Sequence, residues 1–278
     1  LGEELLVAHS PERILPGKVI EELRTNSRIV GGINEKSSLE VKKVYESIVE
    51  GEIFITTSTT AEMCKVMENT FRDVNIALAN ELAKISEELG VNAFEVIRLA
   101  NHHPRVNILS PGPGVGGHCI ALDPWFLVEK SENAKLIKQA RLINDSMPQF
   151  VFDKIKNILG GFNGQTISLF GVTYKPNIDD IRESPVMHLL DMLKKENIKV
   201  NVCDPHAKEQ VENNIDIYEA VKDASIMVLG VNHSEFENID FSKISTLLKD
   251  KNILDTRNFF NREEIVKNNI NYYLLGEK

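Results

Sequence analysis

The feature that most constrains the fold of this chain is a helical pattern that runs unbroken from Thr59 to Leu89. A capping box, Thr-x-x-Glu, opens the pattern at Thr59, and Gly90 closes it. Apolar residues recur every three or four positions, as one helix face requires, at Met63, Val66, Met67, Val74, Leu78, Leu82, Ile85 and Leu89. A helix of about 30 residues exceeds the usual globular length, so we expect it to span two domains or two subunits.

Three polar residues of this helix, Lys65, Asn69 and Arg72, are spaced i, i+4 and i+7 and therefore share one face. Polar residues aligned on one face of a mostly buried helix indicate that this face has a function. The same spacing also allows the alternative that these residues are a stripe of the helix surface in contact with solvent.

A second feature is the glycine-rich stretch from Leu109 to Leu127, which reads LSPGPGVGGHCIALDPWFL. Its density of Gly and Pro excludes a regular helix or strand across the glycines and predicts a functional loop. Cys119 follows the glycines at a predicted loop-to-helix junction, where backbone N–H groups stabilise a thiolate. Asp123 comes four residues later and reaches the same site if the segment turns helically. A structural turn beside a buried cysteine is the alternative.

Strands and helices alternate on both sides of the long helix. Before it we predict strands at Leu5 to His9, Arg28 to Gly32 and Ile53 to Thr57, and a helix from Leu39 to Ile48. After it we predict helices from Ala93 to Ala100, Pro124 to Glu129 and Lys135 to Leu159. From Gln165 we predict that TISLFGVTYKP is a buried strand leading into a polar loop, and that further strands run from Lys199 to Cys203, Ile226 to Val231 and Asn252 to Asp255. A helix is predicted from Pro185 to Glu196, capped by Ser184. This alternation predicts a parallel, doubly wound sheet.

Charged residues follow several predicted strands, at the edge where such sheets bind ligands. In the last domain the charged residues that follow strands are Lys175, Arg182 and Arg257. In the segment SPERILPGK they are Glu12 and Arg13, although a surface ion pair explains those two equally well.

Composition excludes several classes of protein. A net charge of −9 argues against nucleic acid as the main partner, and no apolar run is long enough for a membrane span. The three cysteines lack metal-ligand spacing and fit a reduced, cytoplasmic setting. His102 and His103 have no acidic or cysteine partner at suitable spacing, so we expect no metal site.

Four segments, in this order, resemble the UDP-glucose/GDP-mannose dehydrogenase family, which oxidises C6 of a nucleotide sugar to a carboxylate. They are SPERILPGK, ENTFRDVNIALANEL, PGPGVGGHC and GVTYKPNIDDIRESP. The segments TFRD, NHHPRVNIL and CIALDPW are most similar to the UDP-N-acetyl-D-mannosamine dehydrogenase branch. UDP-N-acetylglucosamine enzymes share Arg72 and His118 and stay an alternative.

The resemblance implies an NAD-dependent, four-electron oxidation of UDP-N-acetyl-D-mannosamine to the uronate, a reaction of nucleotide-sugar metabolism that serves polysaccharide biosynthesis. Cys119 would form a thiohemiacetal and then a thioester. Lys65 and Asn69 would stabilise the charge on the C6 oxygen, and Asp123 would orient a water or Lys65. Glu12 would be the base for thioester hydrolysis.

Binding roles follow from the same resemblance. Sugar, phosphate or uridine contacts would come from Arg13, Ile14, Arg72, His103, Arg105, Lys175, Arg257 and the loop glycines Gly112, Gly114 and Gly116. His103 and Arg105 would reach in from a second subunit. Arg182 would reach the NAD. The helix over residues 59–89 would form a homodimer interface, and the assembly would be a dimer or a tetramer.

The resemblance also implies the architecture: an α/β chain with the remnant of an N-terminal Rossmann-like domain, a central long-helix domain and a C-terminal Rossmann-like parallel-sheet domain. We expect the latter part of the nucleotide-binding domain at 1–57, the central helical and dimerisation domain with the cysteine loop at 58–161, and the UDP-binding domain at 162–278.

The family's GxGxxG fingerprint is absent, and GPGVGG does not fit because it follows no buried strand. We therefore expect the chain to lack most of the NAD-binding domain and to be inactive alone.

Two other classes stay open. A UDP-sugar-binding module without dehydrogenase activity is motivated by the missing fingerprint. A Cys-His hydrolase built on Cys119 is disfavoured because His118 is adjacent in sequence and poorly placed as its base.

Overall fold

The computed structural model describes residues 3–14 and 18–278. The chain divides into two compact units, an N-terminal unit (Leu1–Phe71) and a C-terminal unit (Arg72–Lys278). The division falls within the long helix. Residues 15–17 of the SPERILPGK segment lie outside the described residues.

The described residues of the N-terminal unit, 3–14 and 18–71, form a three-stranded sheet and two helices before the long helix begins. In chain order they are β1 (Ala8–His9), α1 (Val19–Thr25), β2 (Arg28–Gly32), α2 (Glu35–Glu46) and β3 (Ile53–Thr57). The strand order is β1-β2-β3, with β1 antiparallel to β2 and β2 parallel to β3. The predicted bounds of β2 and β3 are confirmed. The first predicted strand is too long, because only Ala8 and His9 pair with β2.

Helix α2 begins earlier than the hydrophobic pattern indicates. Asn34 caps it, and its side chain accepts a hydrogen bond from the backbone nitrogen of Ser37 at 2.9 Å. The cap satisfies an N–H group that the first turn of a helix leaves unpaired, and so it moves the start from the predicted Leu39 to Glu35. Helix α1 was not predicted.

The long helix, α3 (Ser58–Leu89), is confirmed to within one residue at its start. Its apolar stripe, however, does not supply the buried face. Met63, Met67, Leu78, Ile85 and Leu89 are all exposed. The buried residues of α3 are instead small or polar: Ala61, Asn69, Thr70, Asp73, Ala77, Ala79, Asn80, Ala83 and Ser86. Small residues let neighbouring elements approach the helix backbone closely, and the large apolar residues are left at the surface of the single chain.

Four helices follow α3 in the C-terminal unit: α4 (Ala93–Ala100), α5 (His118–Lys130), α6 (Lys135–Asp145) and α7 (Met147–Ile158). The predicted α4 is confirmed. The single helix predicted from Lys135 to Leu159 is wrong, because the chain breaks at Ser146. Pro148 has no backbone N–H to donate to the carbonyl of Asn144, so a continuous helix would lose that bond. Helix α5 starts at His118, before the predicted Pro124.

The rest of the chain forms a five-stranded sheet, with strands β4 (Thr166–Phe170), β5 (Lys199–Cys203), β6 (Ile226–Leu229), β7 (Asn252–Asp255) and β8 (Asn271–Leu274). The strand order is β5-β4-β6-β7-β8 and every pair is parallel, which confirms the predicted doubly wound sheet. Strand β8 was not predicted, and β6 ends two residues before the predicted Val231.

Helices cover both faces of this sheet. One core contains residues of α7 and α8 (Pro185–Lys195), and Ser184 caps α8 as predicted. The other contains residues of α9 (Ile217–Val221), α10 (Phe241–Leu247) and α11 (Arg262–Lys267). The fold class is therefore the predicted α/β architecture. The domain boundaries at 57/58 and 161/162 stay a prediction. Among the described residues, no helix combines the length and apolarity needed to cross a bilayer.

Candidate functional site

Cys119 lies in the first turn of α5, directly after the glycine loop. The loop ends at Gly117, the helix cap, with φ 80° and ψ 163°. Cys119 is exposed in the first turn of the helix. Asp123 belongs to the same helix, and a spacing of four residues places it on the same face. The alternative of a buried cysteine beside a structural turn is therefore wrong.

The loop glycines are required by contacts with the protein itself. A Cβ on Gly117 would lie 3.0 Å from the Tyr174 ring, and one on Gly116 would lie 2.5 Å from the carbonyl oxygen of Glu183. A Cβ on Gly114 would lie 2.9 Å from Cβ of Pro185. These distances exclude any larger residue without movement. The loop therefore packs tightly against the segment of residues 174–185, which we call the β4–α8 loop.

Two loop N–H groups are already bonded within the protein. The N–H of Gly117 donates to the carbonyl oxygen of Arg182 at 3.2 Å, and that of Gly112 donates to Oδ1 of Asn80 at 2.9 Å. These two groups are not available to a sugar in this arrangement. Sugar contacts by Gly112, Gly114 and Gly116 stay a prediction.

Arg257 contacts the other end of the glycine loop. A Cβ on Gly112 would lie 2.3 Å from Nη1 of Arg257, so the guanidinium occupies the space that a side chain would need. Nε of Arg257 donates to the carbonyl oxygen of Gly230 at 2.9 Å. Burial lowers the pKa of Arg257 to about 10, which leaves the group cationic at neutral pH. The guanidinium of Arg257, held in place by its hydrogen bond to the backbone, is suited to binding an anionic ligand.

A buried polar network anchors this loop, and sequence reasoning missed it. Nδ2 of Asn80 donates to Oδ1 of Asn144 at 2.8 Å, and Nδ2 of Asn144 donates to Oδ1 of Asp73 at 2.8 Å. Arg141 pairs with Asp73 and with Asp145. Burial raises the pKa of Asp73 despite the opposing effect of Arg141. The available signal was the spacing of Asp73 and Asn80 on the face of α3 opposite its apolar stripe.

Arg182 is the predicted cofactor contact, and it lies in the β4–α8 loop beside the helix that carries Cys119. Its side chain is 64% exposed and donates from Nε to Oδ1 of Asp180 at 2.9 Å. The hydrogen bond from Arg182 lowers the pKa of Asp180 to about 2, with a smaller electrostatic contribution from His118. The guanidinium keeps exposed donors that a phosphate or amide oxygen can accept from.

Lys175 lies in the same loop. Its Nζ is 5.7 Å from the centroid of the Tyr174 ring, and the side chain is partly exposed. Lys175 is thus close to Tyr174, whose ring packs on Gly117. Cys119, Asp123, Lys175, Arg182 and Arg257 all lie in the C-terminal unit, and Arg182 and Arg257 contact the glycine loop directly.

The N-terminal unit holds the remaining predicted catalytic residues. Lys65 and Asn69 lie one turn apart on α3, and Asn69 is 5% exposed. Oε2 of Glu12 lies 3.0 Å from Nη1 of Arg28, and Oε1 accepts the backbone N–H groups of Arg13 and Ile14. Partial burial opposes ionisation of Glu12, but these hydrogen bonds outweigh it and lower its pKa. A carboxylate with a lowered pKa is a weaker base, which disfavours the predicted role of Glu12 in hydrolysis.

Four other predicted binding residues have basic side chains. Arg13 pairs with Glu68 on α3. His103 and Arg105 are exposed in the turn after α4, where the N–H of Arg105 donates to Nδ1 of His103 at 3.3 Å. Arg72 is exposed on α3. Their predicted contacts with a substrate stay a prediction.

A cavity of about 210 Å³ lies on a different face of α5 from Cys119. Its lining includes Ala121 and Trp125 of α5 and Arg141 of α6. Helical spacing places Ala121 and Trp125 well over 90° from the face shared by Cys119 and Asp123. The cavity is therefore not the space into which the thiol points.

The other two thiols are poorer nucleophiles by position. Cys203 ends β5 and is buried, and burial together with Asp204 raises the pKa of its thiol to about 12. Cys64 is half-buried on α3. Among residues 3–14 and 18–278, the group with metal-ligand spacing is His206, His233 and Glu235, not the His102–His103 pair.

The comparisons with known proteins agree with this fold and loop. Residues 59–146 match the central domain of the UDP-glucose/GDP-mannose dehydrogenase family, and residues 168–262 match its UDP binding domain. The chain belongs to this family, which confirms the resemblance.

Its similar relatives include the UDP-N-acetyl-D-mannosamine dehydrogenase of Methanocaldococcus jannaschii, 51% identical over 278 residues, which are 99% of this chain and 65% of that protein. The NDP-N-acetyl-D-galactosaminuronic acid dehydrogenase of Ralstonia nicotianae is 45% identical over 95% of this chain and 64% of its own length. The solved UDP-D-ManNAc dehydrogenase of Pyrococcus horikoshii superposes with a TM-score of 0.88 at 39% identity, over 97% of this chain and 64% of that one. The chain thus spans about 65% of the length of these relatives.

Proposed function

We propose that the protein containing this chain is an NAD-dependent UDP-N-acetyl-D-mannosamine 6-dehydrogenase. The observation that carries the proposal is the exposed Cys119 in the first turn of α5, with Asp123 on the same helix face. A dehydrogenase that makes a carboxylate from an alcohol needs a nucleophile to hold the intermediate aldehyde, and a thiolate at a helix N-terminus is a competent one. The names of the similar relatives support the choice of substrate.

In the proposed mechanism, each group of the chain has a separate task. Lys65 and Asn69 stabilise the oxyanion at C6 when the alcohol is oxidised. Cys119 then adds to the aldehyde carbon to give a thiohemiacetal, whose oxidation yields a thioester. Asp123 orients the water that cleaves the thioester, which regenerates the thiolate and releases the uronate. Arg257, Lys175, Arg72 and Arg13 bind the diphosphate and sugar, and Ile14, His103 and Arg105 complete the pocket.

We assign one contact with NAD to a residue of this chain, Arg182. Arg182 presents an exposed guanidinium beside α5, and its donors suit a phosphate or carboxamide oxygen. When bound, NAD accepts one hydride in each of the two oxidations. The run GPGVGG has the GxGxxG spacing but follows no strand, so it does not supply the dinucleotide-binding fingerprint that would hold the rest of the cofactor.

A homodimer through α3 is part of the proposal. The exposed apolar residues Met63, Met67, Leu78, Ile85 and Leu89 recur at helical spacing along one face. A continuous apolar stripe of this kind is typical of a surface that another chain covers. The dimer would bring His103 and Arg105 of one chain to the substrate of the other.

The test is product stoichiometry with the protein encoded by the complete gene. We expect two NADH per UDP-N-acetyl-D-mannosamine, and we expect Cys119→Ser to abolish uronate formation while UDP binding, measured by calorimetry, is unchanged. Cys203→Ser is the matched control and should keep activity. Uronate production by the Cys119→Ser protein would contradict the mechanism. UDP binding by wild type with no NADH at all would favour a binding module.

The same assay decides the sugar. Rates with the UDP-linked N-acetyl derivatives of mannosamine, glucosamine and galactosamine should favour the manno epimer. A preference for the gluco epimer would support the alternative UDP-N-acetylglucosamine 6-dehydrogenase. The galacto epimer is included because one of the similar relatives is named for N-acetyl-D-galactosaminuronic acid.

A further inference from the structure

A buried histidine holds the loop that follows β4, and no motif of the sequence singled it out. His233, just after β6, has no solvent-exposed surface. Its Nδ1 lies 3.0 Å from the backbone nitrogen of Asn177, and its Nε2 lies 3.1 Å from Oδ2 of Asp204. The Asn177 N–H can only donate, so Nδ1 accepts. In the neutral ring the proton is then on Nε2, which donates to Asp204.

Asp204, at the end of β5, secures the start of the same loop. Its Oδ2 accepts the N–H groups of Val172 at 2.6 Å and Thr173 at 3.2 Å. Its Oδ1 accepts the N–H groups of His206 and Ala207. Burial opposes ionisation of Asp204, but the hydrogen bonds from His233 and the backbone outweigh it and lower the pKa. A buried carboxylate that accepts several backbone N–H groups holds those backbone segments in place.

The two buried residues therefore fix residues 172–177 at both ends. Tyr174 and Lys175 lie between the fixed points. The hydroxyl of Thr173, 3.2 Å from Nε2 of His233, donates to the carbonyl oxygen of Lys175 at 3.0 Å. This bond ties the Lys175 backbone to the imidazole. The ring of Tyr174, the residue between Thr173 and Lys175, packs on Gly117 at the start of the helix that carries Cys119.

We propose that His233 is a positioning residue for the nucleotide-sugar site, fixing the loop of residues 172–177 so that Lys175 and Tyr174 are presented in one place. It acts through the loop and does not touch the substrate. The inference rests on the proposed function, in which Lys175 contacts the diphosphate of the UDP-sugar.

A metal ion is a poorer explanation of the same cluster. His206, His233 and Glu235 offer ligand atoms within 4.8 Å of one another. Both ring nitrogens of His233 are already engaged, one by Asn177 and one by Asp204, so His233 has no lone pair to give without breaking the loop contacts.

Three substitutions separate the two ends of the imidazole. His233→Asn keeps an acceptor near the Nδ1 position, His233→Gln keeps a donor near the Nε2 position, and His233→Phe removes both. With the complete protein, we expect His233→Phe to raise KM for the UDP-sugar and Kd for UDP about tenfold, equivalent to ~1.4 kcal/mol. We expect kcat to change less than KM. His233→Asn should recover most of the loss, because it can still accept the Asn177 N–H.

His206 provides the matched control. Its ring stacks on that of His233 with centroids 4.8 Å apart, but it pairs with Glu235 at the surface rather than with the loop through its side chain. His206→Phe should leave KM and Kd unchanged.

A second measurement does not depend on catalysis. Hydrogen exchange should show faster exchange of the Thr173 and Asn177 amides in His233→Phe, and protection restored at Asn177 in His233→Asn. Unchanged exchange and unchanged Kd for UDP in His233→Phe would overturn the proposal. Equal impairment by Phe and Asn would also overturn it, because packing rather than the hydrogen bond would then be responsible.

The two proposals fail differently. If wild type oxidises no UDP-N-acetylhexosamine but the exchange and UDP affinities change as expected, the proposed function fails and the positioning role stands. If wild type turns over and the variants keep normal KM, Kd and exchange, the positioning role fails alone. Should His233→Phe not fold, the Asn and Gln variants carry the test.

Discussion

Replacing Gly117 by alanine tests whether the glycine loop is shaped by its own protein contacts. Gly117 has φ 80° and ψ 163°, a backbone region restricted almost wholly to glycine, where another residue costs about 1–3 kcal/mol. The new Cβ would also lie between 3.0 and 3.2 Å from three atoms of the Tyr174 ring, and overpacking of this kind costs about 1–3 kcal/mol. We expect the free energy of unfolding to fall by about 2–6 kcal/mol in total.

Gly90→Ala is the matched control. Gly90 also has positive φ, at 71°, but a Cβ there would meet no atom within 4 Å. Only the backbone cost applies, so we expect a loss of about 1–2 kcal/mol. Urea unfolding of both variants, with the dependence on denaturant fitted separately, gives the loss of stability at each site.

Adding Tyr174→Ala to Gly117→Ala should recover the packing part of the loss but not the backbone part, so the two substitutions should be non-additive. Because Gly117 caps the helix that carries Cys119, Gly117→Ala should also lower kcat, whereas Gly90→Ala should not. If Gly117→Ala is no less stable than Gly90→Ala, the packing argument is refuted.

Two further predictions concern ionisable groups. At pH 8 iodoacetamide should alkylate the exposed Cys119 readily. It should alkylate the buried Cys203, whose thiol pKa is raised to about 12, only when the protein unfolds. Mass spectrometry of the digested protein measures the labelling of each cysteine, and rapid labelling of Cys203 in the native protein would contradict the prediction. The pKa of Asp204 is lower in the folded protein than its ordinary value of 3.8, so its stabilising contribution is complete above about pH 4 and is lost as the pH falls through the folded-state pKa. Asp204→Asn should therefore be less stable at pH 7 and lose less stability than wild type between pH 5 and pH 3, and equal urea-midpoint slopes against pH would rule this out.

Local patterns in the sequence were sufficient for much of the secondary structure. Strands β2, β3, β5 and β7 and helix α4 were predicted at their observed bounds, because side-chain periodicity and flanking turn residues act within a few positions. The break between α6 and α7 could have been found from Pro148, whose missing N–H ends the continuous pattern. Strand β8 could not have been found in the same way, because its short sequence forms a strand only by pairing with β7.

The sequence also determined the chemistry of the candidate site: a thiol after a glycine loop, a carboxylate one turn later, and cations after the strands. Only the tertiary structure decided what holds these groups. Asn144 meets Asp73 across 71 positions of sequence, and His233 meets Asn177 across 56. Such pairs leave no periodic signal, because each residue is polar in isolation and its burial depends on distant elements folding over it. For the same reason the sequence did not show which face of α3 the single chain buries: the packed chain buries small and polar residues and leaves large apolar residues such as Leu78 and Leu89 exposed.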